Sequence, residues 1–311
     1  MKKISVVIPT FNESKNIPTL VPAIVKNIPK KYDYEIIFVD DNSPDGTFEV
    51  IRKIGQTNKR VKGICMYRRF GLQPSFLAGI KRASGDAIVT MDADFQHPPE
   101  MLPQMIALWE KGYDLVQPQK QEDKSFNPLL RSMRQFAYHA WENISDGTLI
   151  PGVSDFRLMD HKVAEFIISS GETETFLRGL VNMGANNPLL IPYKVGKRKF
   201  GKSSFNVMQL LNIFIVGFIS FSPKPLRLAS FFGLLIAVST SIFLIIDILN
   251  AITTGKTIIP GWETIVFLLL TLNGFVIFYL GILGEYIGII FKEVKRRPPY
   301  IVGKEVNLLD Q

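Results

Sequence analysis

Two long uncharged segments near the C-terminal end constrain the fold of this 311-residue chain more than any other feature. No charged residue occurs from Leu228 to Ile246 or from Thr264 to Gly284. A helix needs about 20 apolar residues to cross the hydrocarbon core of a bilayer, and each segment has that length. A buried core helix is the alternative for either segment, but two in tandem favour a membrane hairpin. We therefore predict a hairpin over residues 226–291, with spans at about 227–249 and 264–290.

The charges around the hairpin predict its orientation. The link between the spans has Lys256 as its one basic residue, whereas the other two ends carry Lys224, Arg227, Lys292, Lys295, Arg296 and Arg297. Because cytoplasmic segments carry the excess of Lys and Arg, we expect a multi-pass protein with both termini in the cytoplasm. This orientation and the attraction of anionic headgroups account for the formal net charge of +8, so no nucleic-acid partner is expected.

Short apolar runs alternate with helical patterns ahead of the hairpin. The runs predict strands at residues 4–8, 35–39, 61–66, 87–91, 114–117 and 188–195. Apolar residues at helical spacing predict helices near 20–25, 48–54, 74–83 and 174–183. This alternation, with connections long enough for right-handed crossovers, predicts an α/β fold with a parallel, doubly wound sheet. No G-x-G-x-x-G motif follows the first strand, so a dinucleotide-binding fingerprint is missing.

A further helical pattern lies just before the hairpin. Its apolar residues are Val207, Leu210, Leu211, Phe214 and Phe218. A helix this apolar beside a membrane span is typical of one lying in the bilayer interface, although a core helix of the preceding domain stays open. The predicted organisation is a cytoplasmic domain over residues 1–205, an interfacial helix over 206–225, the hairpin, and a cytoplasmic tail over 292–311.

Two carboxylates stand one residue apart directly after the fourth predicted strand, in Asp92-Ala93-Asp94. Open α/β sheets bind their ligands beyond the carboxyl ends of the strands. Carboxylates this close repel each other unless a cation neutralises them. Oxygen ligands suit Mg2+ or Mn2+, which bind one or two carboxylates together with substrate phosphates, and Gln96 adds a neutral oxygen. A solvated acidic turn is the alternative, and the pair alone does not decide between the two.

Three short motifs carry a family resemblance: Val7–Glu13, Val39–Ser43 and Met91–Pro99. They resemble glycosyltransferase family 2. The chain is most similar to the polyprenyl-phosphate branch of that family, which includes dolichyl-phosphate mannose synthases and bactoprenol glucosyltransferases. The segments Asp155–Leu158 and Arg297–Tyr300 match this branch too. Each motif is modestly specific, but the resemblance covers nearly the whole chain, and the order and spacing of the motifs are typical of the branch.

The resemblance implies a GT-A fold and an inverting transfer of a sugar from a nucleotide sugar to a polyprenyl phosphate. It implies a nucleotide-sugar pocket lined by Pro9, Phe11, Glu13, Asp40, Asp92 and Ala93. Asp40 would hydrogen-bond the base. It also implies that Mg2+ or Mn2+ is held on the donor diphosphate by Asp92, Asp94 and Gln96. Asp94 and Asp155 are the candidate catalytic residues, with Asp155 near the sugar C1.

The acceptor phosphate needs cations at the membrane surface. Such a monoester is already anionic at neutral pH, because its second pKa is near 6. Asp155 would therefore orient the acceptor or stabilise positive charge at C1 rather than act as a strong base. Arg131 and Arg134 are three residues apart, hence on one helix face, and guanidinium groups suit phosphate. Ordinary surface charge is an equally good interpretation of these two arginines.

Arg198 and Lys202 are further candidates for binding the lipid phosphate. The family often reads Arg-x-x-Gly-x-Ser-Lys near the end of the first domain. Here Ser204 stands where the lysine is expected, and Lys202 comes two residues earlier. Lys202 is a candidate to replace that lysine.

The resemblance makes UDP-glucose the first choice of donor and undecaprenyl phosphate the acceptor. Transfer would take place on the cytoplasmic leaflet of a bacterial-type inner membrane, for modification of a cell-envelope glycan. GDP-mannose, UDP-N-acetylglucosamine and UDP-galactose are alternative donors. A processive polysaccharide synthase would normally show a Gln-x-x-Arg-Trp motif, which this sequence does not contain. A non-enzymatic membrane assembly subunit with a decayed transferase domain is the alternative from another class, and the intact acidic loop argues against it.

Two further sets of residues have structural interpretations. Small residues recur in the second predicted span at Gly274, Gly281, Gly284 and Gly288. Membrane helices associate through small residues, so a homo-oligomer is a plausible assembly. The scattered histidines His97, His139 and His161 are expected to be structural or surface residues rather than metal ligands.

Overall fold

The computed structural model describes residues 1–120, 150, 152–172, 177–193, 224–255 and 262–308. The chain divides into two compact units: residues 1–210 with 296–311, and residues 211–295. The predicted phosphate-binding residues Arg131, Arg134, Arg198 and Lys202 lie outside the described residues, and so does the predicted interfacial helix apart from its last two positions.

An eight-stranded sheet forms the centre of the first unit. Its strands are β1 (Lys3–Thr10), β2 (Asp33–Asp40), β3 (Val61–Met66), β4 (Ala87–Thr90), β5 (Leu115–Lys120), β6 (Arg157–Asp160), β7 (Pro188–Tyr193) and β8 (Val302–Val306). Their order across the sheet is β7-β5-β6-β4-β1-β2-β3-β8. The strands β1 to β5 and β7 lie where the apolar runs predicted strands, although their ends differ by up to a few residues.

Helices cover both faces of this sheet. They are α1 (Ile17–Asn27), α2 (Thr47–Thr57), α3 (Leu72–Arg82), α4 (Leu102–Glu110), α5 (His161–Ser170) and α6 (Leu177–Gly184). Successive side chains of a strand point to opposite faces. Ile4 and Val6 of β1 accordingly join the core cluster that contains α1 and α4, whereas Val7 joins the cluster that contains α3, α5 and α6. Because both faces of β1 are buried, the strand reads as a continuous apolar run.

The prediction of a parallel sheet is correct for the pairings among β1 to β4 and for β5 with β7, but it is wrong for β6 and β8. Strand β6 runs antiparallel to both β4 and β5, and β8 runs antiparallel to β3. In the pairing of β4 with β6, Thr90 at the end of β4 lies opposite Arg157 at the start of β6. An antiparallel neighbour begins where its partner ends. The residues just before β6 therefore lie at the same edge of the sheet as the acidic loop that follows β4.

The last described residues return to the sheet. The sequence pattern placed residues 292–311 in a tail, but Val302–Val306 form the edge strand beside β3. Arg82 of α3 forms an ion pair with Glu305 at 2.8 Å. The Asn307 amide donates to the carbonyl oxygens of Gly55 and Val61 at 2.6 and 2.9 Å. The C-terminal segment is thus built into the first unit.

The second unit contains two long helices, α7 (Lys224–Thr254) and α8 (Trp262–Lys295). Ser230 Oγ lies 3.4 Å from the hydroxyl of Tyr279. A Cβ on Gly233 would lie 3.2 Å from Phe275. Because the later residue of α7 faces the earlier residue of α8, the two helices run antiparallel. Among the described residues, Leu272–Lys295 is the stretch long and apolar enough to cross a membrane, with a mean hydropathy of 1.9; Leu226–Ile242 is a shorter apolar stretch. The helices lie where the hairpin was predicted, and membrane crossing by both stays a prediction.

Candidate active site

The acidic loop after β4 is a tight turn stabilised by its own polar groups. The Asp92 N–H donates to Nδ1 of His97 at 2.9 Å, and the Gln96 N–H donates to Oδ1 of Asp94 at 2.9 Å. Phe95 between them adopts a left-handed conformation with φ of 66°. Asp94 and Ala93 are buried, whereas the Asp92 side chain is 36% exposed. The turn therefore fixes the Asp94 carboxylate and the backbone of Asp92 beyond the carboxyl end of β4.

The Asp92 carboxyl has an unusual charge environment. Although part of the side chain reaches solvent, the surrounding protein atoms desolvate the carboxyl; this desolvation, followed by the negative charges of Asp155 and Asp94, raises its pKa to about 7. The positive charges of Arg178 and Lys120 act in the opposite direction but do not compensate. A divalent cation at this point would supply the missing positive charge.

A metal ion shared with a diphosphate fits this pair of carboxylates. No group of three or more His, Cys, Asp or Glu side chains within the described residues could hold a metal without help. Mg2+ usually takes only one or two carboxylates and completes its shell with water and substrate phosphates. The side chains of Asp92 and Asp94 meet that requirement, with Gln96 two residues further along the same turn.

Asp155 precedes β6 and is held by two arginines. Its carbonyl oxygen accepts a hydrogen bond from Thr90 Oγ1 at 2.6 Å, which attaches it to β4. Arg178 donates from Nε to Oδ1 at 3.1 Å and from Nη2 to Oδ2 at 2.8 Å. Arg157 Nη2 donates to Oδ1 at 2.9 Å. Burial opposes ionisation here, but the two guanidinium groups hold the pKa of Asp155 at about 2. This carboxylate stays ionised and is a weak base.

The two arginines differ in exposure. The Arg157 side chain is 2% exposed and also donates to the carbonyl oxygens of Ser154 and Leu177 at 3.1 and 3.4 Å. Burial lowers its pKa to about 10, so it remains charged at neutral pH. The Arg178 side chain, near the start of α6, is 41% exposed. The sequence motifs included Arg157 but gave no sign of Arg178, because its contact joins positions 23 residues apart.

His97 connects the acidic loop with the Asp155 loop. Its Nδ1 accepts the Asp92 N–H, so the ring proton lies on Nε2, which is 3.1 Å from Ser154 Oγ. The ring stacks on Phe156 with centroids 4.9 Å apart. Burial lowers the pKa of His97 to about 4, so the ring is neutral at neutral pH. The structural role expected for His97 agrees with these contacts.

The Asp40 region lies at the same edge of the sheet, at the end of β2. Asp40 is 1% exposed, and its carboxylate accepts hydrogen bonds from the N–H and hydroxyl of Ser43 and a weak one from Cys65. Burial raises the pKa of Asp40. These contacts shape the loop after β2, and a hydrogen bond from Asp40 to a base stays a prediction.

The loop after β1 contributes the remaining predicted pocket residues. Pro9 is buried within β1, and Phe11 is half-buried just beyond it. The guanidinium of Arg69 lies 3.9 Å from the centre of the Phe11 ring. The Glu13 carboxylate accepts a hydrogen bond from the Asn16 side chain. Because β1, β2 and β4 are parallel neighbours, the loops after them share one edge of the sheet.

Comparison with known proteins identifies the class to which this fold and site belong. The chain is a member of glycosyl transferase family 2, because the sequence model of that family matches residues 5–165. A putative glycosyltransferase, CsbB, of Bacillus subtilis is 35% identical over 98% of this chain and 92% of its own length. The SfII prophage-derived bactoprenol glucosyl transferase of Shigella flexneri is 33% identical over 97% of this chain and 98% of its own length.

A solved structure shares the fold at low identity. It is glucosyl-3-phosphoglycerate synthase from Mycobacterium tuberculosis in complex with Mn2+, uridine diphosphate and glucosyl-3-phosphoglycerate. The match has a TM-score of 0.50 and 17% identity, and it covers 71% of this chain and 80% of that one. The mixed α/β sheet described above is therefore a GT-A-like glycosyltransferase fold.

Proposed function

We propose that this protein transfers a hexose from a nucleoside diphosphate sugar to a polyprenyl phosphate, with inversion at C1. The observation that carries the proposal is the juxtaposition of the Asp92-Asp94 turn with an ionised Asp155, joined through His97. Relatives named bactoprenol glucosyl transferases, matching nearly the full chain, support a polyprenyl phosphate acceptor.

The donor diphosphate would bind at the acidic turn. Asp92 and Asp94, with Gln96, would hold Mg2+ or Mn2+ there, and the bound ion would stabilise negative charge on the diphosphate. Pro9, Phe11 and Glu13 would line the nucleotide side of the pocket. The raised pKa of Asp92, caused by burial and neighbouring carboxylates, supports a cationic partner at this turn.

The acceptor phosphate would supply the nucleophile. One of its oxygens forms a bond to C1 while the bond from C1 to the diphosphate oxygen breaks, and the nucleoside diphosphate leaves. The acceptor is already ionised, so no side chain needs to remove a proton. Asp155, held ionised by arginine, would stabilise the positive charge that develops at C1. Its low pKa argues against a role as general base.

The donor proposed first is UDP-glucose. Relatives at 33% identity carry glucosyl transferase in their names, which supports glucose over other hexoses. GDP-mannose, UDP-N-acetylglucosamine and UDP-galactose are the alternatives. The acceptor would be undecaprenyl phosphate in the cytoplasmic leaflet of a bacterial inner membrane. The apolar stretch Leu272–Lys295 and the shorter one at Leu226–Ile242 would anchor the protein there.

A panel of radiolabelled nucleotide sugars, each with undecaprenyl phosphate in detergent micelles, tests the proposal. We expect the full-length protein to move label from one donor into the lipid extract, and a chelator to stop the transfer. Asp94→Ala should abolish transfer and weaken metal-dependent donor binding, whereas Asp33→Asn at the opposite end of β2 should not. If no donor labels the lipid and no donor is hydrolysed, the proposal is refuted and a non-enzymatic assembly subunit is favoured.

A further inference from the structure

Arg178 makes a two-point contact through one edge of its guanidinium. Nε and Nη2 both face the Asp155 carboxylate, at 3.1 and 2.8 Å. This edge-on arrangement leaves Nη1 on the outer side of the group, and 41% of the side chain is exposed. A guanidinium presents five N–H donors in a fixed plane. Arg178 can thus hold Asp155 and still offer donors to a second anion.

Arg157 provides an internal comparison. It contacts the same Asp155 carboxylate, but it is 2% exposed and spends its other donors on backbone carbonyl oxygens. Its contacts account fully for a structural role. A carboxylate that needed only fixing in place would be served by Arg157, so the second, half-exposed arginine calls for a different explanation.

The charges around Arg178 define what could bind its outer edge. Asp155 raises the pKa of Arg178, and Asp92 contributes as well, so the guanidinium lies within electrostatic reach of both. Arg178 and Lys120 are two described cations that act on Asp92. An acceptor phosphate that approaches C1 would be repelled by the ionised Asp155 and by the donor diphosphate. It needs a fixed cation, and a guanidinium matches phosphate geometry.

We propose that Arg178 binds an oxygen of the acceptor phosphate with its outer edge while its inner edge holds Asp155. This inference rests on the proposed function. In an inverting transfer the nucleophile reaches C1 from the side opposite the leaving diphosphate. The diphosphate is assigned to the Asp92-Asp94 turn, so a cation fixed to Asp155 lies on the side of the acceptor. Arg178 would thus place the nucleophile and the stabilising carboxylate in one rigid arrangement.

Kinetic and binding measurements on the full-length protein in detergent test this role. The variants are Arg178→Lys, which keeps the charge but loses the planar fork, and Arg178→Gln. Arg60→Gln is the matched control, because Arg60 pairs with Asp33 at 3.1 Å at the other end of the sheet. We expect both Arg178 variants to raise the KM for undecaprenyl phosphate about 10-fold or more, as loss of a charge-assisted hydrogen bond implies. The KM for the donor should stay within about 2-fold.

Direct binding separates this inference from the proposed function. Geranyl phosphate serves as a soluble acceptor probe, geraniol as its uncharged counterpart, and UDP as the donor probe. We expect Arg178→Lys to weaken geranyl phosphate binding and leave UDP binding unchanged. Binding can be measured even if the wild-type protein transfers no sugar. Absence of transfer would contradict the proposed function but not the role of Arg178 in phosphate binding.

Two results would overturn the role of Arg178. Lower kcat with an unchanged acceptor KM and unchanged geranyl phosphate binding would mean that it only positions Asp155. Weaker UDP binding with unchanged geranyl phosphate binding would mean that its phosphate belongs to the donor. If Arg178→Gln fails to fold, as thermal melting would reveal, the Lys variant decides the question.

Discussion

At the scale of single residues, the site holds carboxyl groups of opposite character within one edge of the sheet. Asp155 has a pKa of about 2 despite burial because Arg178 and Arg157 hold it, whereas burial, Asp155 and Asp94 raise that of Asp92 to about 7. Such divergent values separate the roles of neighbouring carboxyl groups. Asp155 is suited to act as a permanent negative charge, and Asp92 is suited to bind a cation.

The charge of Asp155 can be removed with little change of shape. We expect Asp155→Asn to lower kcat by about 100-fold, the loss typical when one charge-stabilising group is removed from an active site. Donor affinity should change much less, because Asp155 is assigned to C1 and not to the diphosphate. Turnover at saturating donor, together with UDP binding, checks this. Equal losses in turnover and UDP affinity would count against the placement at C1.

The two hydrogen bonds of His97 can be removed while its stacking on Phe156 is kept. His97→Phe leaves the Asp92 N–H and Ser154 Oγ without this partner. Losing a buried partner costs about 1–3 kcal/mol, so we expect a lower melting temperature and a lower kcat. His161→Phe, at a more exposed position on α5, is the control. A His97→Phe protein with wild-type melting and turnover would show that the two loops do not need this connection.

At the scale of elements, the sequence pattern predicts some strands and misses others. Strands β1 and β2 are buried on both faces, so their apolar runs predicted them directly. Strand β6 has four residues with a charge at each end, which no apolar pattern reveals. Strand β8 lies at the sheet edge and contains a glycine and two charged residues. Its polar sequence suits an edge strand and for that reason resembles a tail.

A buried carboxylate links three strands and the loop before β4. Glu35 of β2 is 1% exposed and forms ion pairs with Lys3 of β1 and Lys62 of β3 at 2.8 and 2.7 Å. It also accepts from Ser5 Oγ at 2.6 Å and from the N–H of Ser84, before β4, at 2.7 Å. Burial opposes ionisation, but the lysines and these hydrogen bonds lower the pKa of Glu35 from 4.5 to about 2.

The lowered pKa of Glu35 predicts how stability depends on pH. Since the folded pKa lies below the unfolded one, its contribution is fully present above about pH 4.5 and is lost as pH falls towards 2. The shift corresponds to about 3 kcal/mol. We expect Glu35→Gln to lower the free energy of unfolding at pH 7 by about that amount and to flatten the acid limb, as followed by denaturation between pH 2 and 7. Glu49→Gln, which breaks an exposed pair with Arg52, should cost under about 1 kcal/mol; a similar loss in both variants would contradict the prediction.

At the scale of the whole molecule, the candidate site is assembled from distant parts of the chain. The alternating pattern supplied Asp92 and Asp94 and correctly placed them beyond β4, and motif resemblance supplied Asp155. The approach of Asp155 depends on the antiparallel direction of β6, which the sequence pattern missed. The contact with Arg178 is purely tertiary, because it joins the loop before β6 to a separate helix. Local patterns thus predicted the acidic turn, whereas the contacts of Arg157 and Arg178 with Asp155 are visible only in the structure.

The first unit is closed by residues that follow the second unit in sequence. We expect a chain ending at Ile301 to lose β8, the Arg82–Glu305 ion pair and the two hydrogen bonds from Asn307. An edge strand with such contacts stabilises the fold by about 2–3 kcal/mol. Its loss should therefore lower the melting temperature of a unit this size by roughly 5–10 °C. Asn307→Ala should give part of the loss, and Lys304→Ala, at an exposed position, almost none. If the truncated and full-length proteins have the same melting temperature, β8 contributes no stability, and β3 is equally stable as the edge strand of the sheet.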